Sequence, residues 1–191
     1  RPGQRILDLC SAPGGKSFAL AEQSNDEAIV ISVDKYESKL KSISEGAKRL
    51  HLKSIKTMVA DASSVEFDEL FDVVFADLPC SGLGTLTKKP DIKWKREKED
   101  IALLVNTQKQ IISNAVRFVK PGGALVYSTC TIEPEENEDV ISWFLSENPD
   151  FTLDPADNYL PVSICRSGCM QTYQHIHNID GAFAARLVRK S

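Results

Sequence analysis

Short apolar runs alternate along this chain with longer stretches whose apolar positions recur three or four residues apart, a pattern that predicts strands and helices in turn. Arg5-Ile6-Leu7-Asp8-Leu9, Ala28 to Val33, Ile55 to Ala60, Phe71 to Ala76 and Gly123 to Ser128 read as strands, the central ones buried on both faces. Between them a helix starts at Lys16, and Leu40, Ile43, Ala47 and Leu50 make one stripe of a second. Apolar residues from Ile101 to Val119 describe a long amphipathic helix stopped at Pro121-Gly122-Gly123. Pro134 to Glu147 reads as one more helix, its proline suited to the first turn and its acidic residues to the positive end. Phe151-Thr152-Leu153 reads as a short strand, Asp154 to Asn178 as irregular, and Gly181 to Val188 as the closing strand. Strands alternating with helices predict a doubly wound α/β domain.

The 191 residues make one domain with room for a substantial core. Because Arg1-Pro2-Gly3-Gln4 leads straight into a strand, the chain reads as a domain cut from a longer protein. No apolar run is long enough to span a bilayer and no signal peptide is present, so no membrane partner is expected. Five cysteines in no disulfide framework read as reduced thiols of a cytoplasmic, monomeric protein. The net charge of −4 speaks against a general nucleic-acid binder, but the charge is unevenly spread. Lys88, Lys89, Lys93, Lys95, Arg96 and Lys98 surround Trp94 in one basic segment, whereas Glu133, Glu135, Glu136, Glu138 and Asp139 make another acidic. Either run is a solvated face unless position says otherwise. The basic one follows the loop that carries Cys80.

Candidate chemistry gathers where strands end, the side on which open parallel sheets bind ligands. Asp77 and Cys80 follow the strand Phe71 to Ala76, and Cys130 follows the strand Gly123 to Ser128. Cys10, Ser11, Ala12, Pro13, Gly14, Gly15 and Lys16 join the first strand to the first helix; small residues there let a ligand approach backbone N–H groups. Asp34 ends the second strand, where an acidic group binds a ribose diol, and Asp61 ends the third, in reach of an adenine edge. A nucleoside-bearing cofactor is expected, and not a nicotinamide one, since G-x-G-x-x-G is absent. Cys165, Cys169, His175 and His177 do not have zinc-ligand spacing, so no metal is expected.

Taken together, Asp8 to Lys16, Asp77-Leu78-Pro79-Cys80-Ser81-Gly82, Lys89 to Trp94, Tyr127-Ser128-Thr129-Cys130-Thr131 and Pro134 to Glu138 resemble the RNA cytosine-5 methyltransferases of the Sun/RsmB and nucleolar type. The bacterial RsmB branch, which modifies 16S ribosomal RNA, is the most similar, and the resemblance runs to Asp180-Gly181-Ala182-Phe183 and beyond. It implies a Rossmann-like, seven-stranded methyltransferase sheet with its last strand antiparallel, S-adenosyl-L-methionine as cofactor, and RNA as partner. It also implies a catalytic domain over residues 1–191 without the family's N-terminal RNA-binding region. Ala182 stands where an aromatic residue is common. Transfer RNA, or binding without turnover, stays open as an alternative.

Methylating C5 of cytosine requires a thiolate at C6, a carboxyl group near N3 and a group that assists release. Asp77, Cys80 and Cys130 match that count. By resemblance Cys130 is the nucleophile, Cys80 serves release, and Asp77 also borders the cofactor. DNA cytosine-5 methyltransferases use a Pro-Cys nucleophile, so from the residues alone both thiols remain candidates. Lys16 is placed either to orient Asp77 or to contact the cytosine.

Overall fold

In the computed structural model, which describes residues 2–191, the apolar runs form strands within a residue or two of where the pattern puts them, except that β5 starts four residues early at Val119. Arg1, in the lead-in to the first strand, lies outside the described residues. The first half comprises β1 (Arg5–Leu9), α1 (Gly15–Gln23), β2 (Ile29–Asp34), α2 (Glu37–Arg49), β3 (Ile55–Val59) and β4 (Phe71–Asp77). Then follow α3 (Ile92–Lys95), α4 (Lys98–Ala115), β5 (Val119–Thr129), α5 (Glu138–Glu147) and β6 (Phe151–Asp154). The hairpin β7 (Cys165–Arg166) and β8 (Cys169–Thr172), α6 (Gln174–His177) and β9 (Ala182–Arg189) complete the fold.

The strands make one mixed sheet in the order β3-β2-β1-β4-β5-β9-β8-β7. β1 to β5 are parallel, and β9 runs antiparallel to β5. Nine strands are present among the described residues where seven were expected. The surplus arises because β8 pairs with Ala182–Ala184 and β6 with Arg186–Arg189, so the two share one edge of β9, and β7 adds a hairpin. That hairpin lies in the stretch read as irregular. Its strands are too short to show a period, yet Ser167 and Gly168 at φ 51° and 77° form the two-residue, positive-φ turn that short hairpins prefer.

Alternation along β1 divides the core into two faces. Ile6 packs with Val30 and with Ala21 of α1. Leu7 and Leu9 join Val33, Val74 and Ala76 against Ile111, Ile112 and Ala115 of α4 and Val140 and Phe144 of α5. Each buried Leu, Ile or Phe contributes about 1.5–3 kcal/mol relative to exposure, and Phe67, Phe71 and Phe118 add edge-to-face contacts at 5.2 Å. Two helix readings are corrected. The amphipathic run after Ile101 leaves α-helix at Ala115, makes one 3-10 turn and enters β5, so Pro121-Gly122-Gly123 lies inside a bulged strand. Pro134 to Glu147 breaks at Asn137, whose φ −116° and ψ −97° are not helical. No helix among the described residues is long and apolar enough to cross a membrane.

Candidate active site

β4 and β5 are neighbours in register, Asp77 opposite Ser128, so the residues after each strand emerge side by side. Cys80 Sγ and Cys130 Sγ lie 3.4 Å apart, and the Cys130 backbone N–H donates to Cys80 Sγ at 3.3 Å. Asp77 is held from both sides: Ser128 Oγ donates to its Oδ1 at 2.7 Å, and the Lys16 ammonium contacts its Oδ2. Lys16 thus lies against Asp77 at the thiol end of the site.

The two sulfurs differ in environment. Cys130 is exposed and Cys80 half-buried. The Cys80 thiol donates to Cys130 and, with Lys16 and Lys89 nearby, holds it down to about 7 despite partial burial and Asp77. The same shared proton, together with burial, pushes Cys80 well above the ordinary thiol range. The two shifts run in opposite directions, so the outer sulfur is the first of the pair to ionise as pH rises.

A cleft of about 620 Å³ runs from this pair to the ends of β2 and β3, lined among others by Cys10, Ala12, Asp34, Asp61 and Asp77. Asp34 Oδ2 accepts the Ala12 N–H at 3.3 Å and its Oδ1 the Tyr36 N–H at 3.1 Å, so it fastens the loop as well as facing the cleft. Asp61 lies two residues beyond the end of β3. Ser63 and Lys35 hold its carboxyl down to about 2, the Ser63 hydroxyl being the larger cause. Cys10 sits at φ 59°, and burial, with four carboxylates nearby, pushes its thiol up to about 12, which leaves it inert.

The remaining loop residues shape the cradle. Ser11 Oγ donates to the Val33 carbonyl at 3.0 Å, pinning the loop to β2. Gly14 has φ 106°, and a Cβ there would come within 2.8 Å of the Phe18 ring, so glycine is required by packing and conformation. Gly15 faces open space, Pro13 is exposed, and α1 starts without a side-chain cap, leaving its first N–H groups available to a carboxylate. A nucleoside with a charged amino-acid tail fits this set: acidic groups at one end, free helix N–H groups near the middle, and a route to the thiols.

Several lining residues escaped the sequence reading, among them Lys35, Tyr36 and Gln110. Lys35 and Tyr36 directly follow Asp34, and that adjacency was the available signal; Gln110 comes from α4, where only the apolar stripe was read. In the basic segment, Lys88 pairs with Asp180 and Lys95 with Asp91, both at 2.6 Å, while Arg96 Nε donates to the Ser81 carbonyl at 3.2 Å. Trp94 is 81% exposed, with Lys93 over its face. It does not anchor the loop. Cys169 is buried in the core, and both His177 ring nitrogens meet backbone groups of Tyr173 and Ser163.

The family model described as 16S rRNA methyltransferase RsmB/F matches residues 1–188. The probable ribosomal RNA small subunit methyltransferase B of Bacillus subtilis is 39% identical over 194 residues, covering 98% of this chain and 43% of the relative. The ribosomal RNA small subunit methyltransferase B of Klebsiella pneumoniae is 43% identical over 191 residues, covering 98% and 42%. The crystal structure of NSun6 from Pyrococcus horikoshii with SFG superposes with a TM-score of 0.89 at 28% identity, covering 98% of this chain and 48% of that one. The chain spans less than half the length of these relatives.

Proposed function

The chain belongs to the 16S rRNA methyltransferase RsmB/F family, and on that premise we propose that it methylates C5 of a cytidine in ribosomal RNA through a covalent adduct between Cys130 and C6. The observation that carries this reading is the pair of thiols 3.4 Å apart beside a carboxylate held by Ser128 and Lys16. S-adenosyl-L-methionine is the proposed cofactor, supported by the NSun6 structure with its analogue SFG. Asp34, Asp61 and the Cys10–Lys16 loop would hold it, and it supplies an electrophilic methyl group. On this reading residues 1–191 are the catalytic unit.

Cys130 attacks C6 as a thiolate, forming the S–C bond and moving the C5=C6 π electrons into the ring, while N3 takes a proton that the Lys16 ammonium supplies through the Asp77 carboxylate and that returns when the S–C6 bond breaks. C5 is then nucleophilic and accepts the methyl group. The C5 proton must leave before the S–C6 bond breaks and C5=C6 reforms. Once Cys130 is bonded to carbon, the negative charge that held the proton on Cys80 is gone, so the chief cause of its raised pKa disappears. Cys80 can then pass its proton to solvent, and its thiolate takes the proton from C5. The hydrogen bond between the sulfurs supports assigning attack to Cys130 and release to Cys80.

The target base must leave its stack to reach these groups. Exposed Trp94, with Lys89 and Lys93, offers a stacking face and phosphate contacts beside the cleft. The test is methyl transfer from labelled cofactor to cytidine-containing ribosomal RNA, followed by mapping of 5-methylcytosine. Cys130→Ala should transfer nothing and form no adduct. A trapped RNA–protein complex in Cys130→Ala, with none in Cys80→Ala, would make Cys80 the nucleophile instead.

A further inference from the structure

The break at Asn137 turns two polar side chains into the interior, and both Glu136 and Asn137 are fully buried. Glu136 Oε1 accepts the Ser81 N–H at 2.9 Å and Gln108 Nε2 at 2.9 Å; the same Nε2 donates to the Pro79 carbonyl at 3.0 Å. Glu136 thus holds both flanks of Cys80, one directly and one through Gln108. Asn137 does the same for Cys130. Its Oδ1 accepts from Thr129 Oγ1 at 2.6 Å, and its Nδ2 donates to the Thr131 carbonyl at 3.1 Å. The two loops meet where the Ser81 and Thr131 hydroxyls lie 2.7 Å apart.

We propose that Glu136 and Asn137 are positioning residues for the thiol pair, one side chain fixing the flanks of Cys80 and its neighbour fixing the flanks of Cys130. A buried carboxyl group costs more to place than a well-packed apolar side chain, so stability alone does not call for it. What the network supplies is the separation of two loop residues that no strand ladder holds. A proton is shared across 3.4 Å only while both loops stay put. The ionisable groups that face the sulfurs are Asp77, Lys16, Lys89 and Tyr127, and none of them belongs to the Pro134–Glu147 segment. Asn137 carries no charge, so its replacement acts on the sulfurs through geometry; Glu136 also lies against Tyr127, and comparing Glu136→Gln with Glu136→Ala separates loss of its charge from loss of its bonds.

This inference rests on Cys130 being the attacking thiol, but its readout needs neither RNA nor methyl transfer, so it and the proposed function can fail separately. The rate of Cys130 alkylation by iodoacetamide would be followed by mass spectrometry from about pH 5 to about pH 10. Wild type is compared with Glu136→Ala, Asn137→Ala and Glu136→Gln, each also titrated with S-adenosylhomocysteine in a calorimeter. The alanine variants should raise the alkylation midpoint by about one pH unit. Glu136→Gln keeps an acceptor for Ser81 but presents an amide to Gln108, so its midpoint should rise by roughly half as much. Affinity for S-adenosylhomocysteine should be unchanged in all three, because the Asp34–Asp61 end of the cleft is untouched. An unchanged midpoint in the variants that fold, Glu136→Gln alone if the alanine variants do not, would overturn the proposal. So would a midpoint shift that always came with lost ligand binding, since that marks general collapse.

Discussion

Replacing Cys80 by alanine should separate attack from release and change the pH at which attack occurs. Wild-type Cys130 is held down to about 7, chiefly by the hydrogen bond from Cys80; without that donor it returns towards 9.0. At pH 7 the thiolate fraction falls from one half to about one in a hundred. Each remaining thiolate is more basic and so roughly eightfold more nucleophilic, which leaves attack about sixfold slower. Solvent at this exposed sulfur trims the shift, so sixfold is an upper bound. Release, however, has lost its base altogether. With cofactor and ribosomal RNA, Cys80→Ala should accumulate a covalent complex, visible as a slow-migrating band on a denaturing gel. The band should form faster as pH rises from about 7 to about 9. A formation rate already flat above neutral pH would show that Cys80 does not set the Cys130 thiolate. Absence of the band at every pH would remove Cys80 from release.

Three further outcomes follow from the structure. Asp34→Ala should weaken S-adenosylmethionine binding by roughly 1.5–3 kcal/mol in calorimetry, since ligand hydroxyls lose their acceptor and the Ala12 and Tyr36 N–H groups lose theirs. Burial is the main reason Asp8 is pushed up to about 7 in the fold, from 3.8; stability from its protonated form is complete below about pH 4 and lost as pH rises through about 7. Urea unfolding should show roughly 4 kcal/mol disappearing over that window, and Asp8→Asn should flatten the loss. Gly84→Ala should cost roughly 1–3 kcal/mol and lower Tm, because a Cβ there meets the Gly181 carbonyl and comes within 2.8 Å of the Cys130 carbonyl; a wild-type melting curve would contradict that crowding.

The sequence made the parallel half of the sheet legible because β1, β2, β4 and β5 are largely buried and all five strands stand out as apolar runs bounded by turn residues, although β3 at the sheet edge is mostly exposed. The grouping of the candidate residues was legible for the same reason: Asp77 ends β4, Cys80 lies in the loop after it and Cys130 directly follows β5. The outer edge was not. β8 reads Cys169-Met170-Gln171-Thr172, and Gln171 is buried by its bond to Glu138, so hydrophobicity carried no signal. Nor did acidic composition identify Glu136, which sits in a run that reads as a solvated helix start yet is the one turned inwards. Which member of a charged run is buried depends on partners such as Ser81 and Gln108, far away in sequence.

The position of β9 bears on how the chain reaches this fold. β9 lies between β5 and the β6–β8 edge, yet it follows all of them in chain order. β5, with Leu125 and Tyr127 fully buried in the finished sheet, must wait with one side unpaired. β6 and the β7–β8 hairpin have no place in the sheet until residues 182–189 thread between. Closing the sheet requires β5 to pair antiparallel with a strand that follows β6, β7 and β8 in the chain, a long-range contact of the kind that slows folding. Until it happens the molecule displays an open edge next to the loop that carries Cys130, and that waiting state is where mispairing with a second chain is most to be expected.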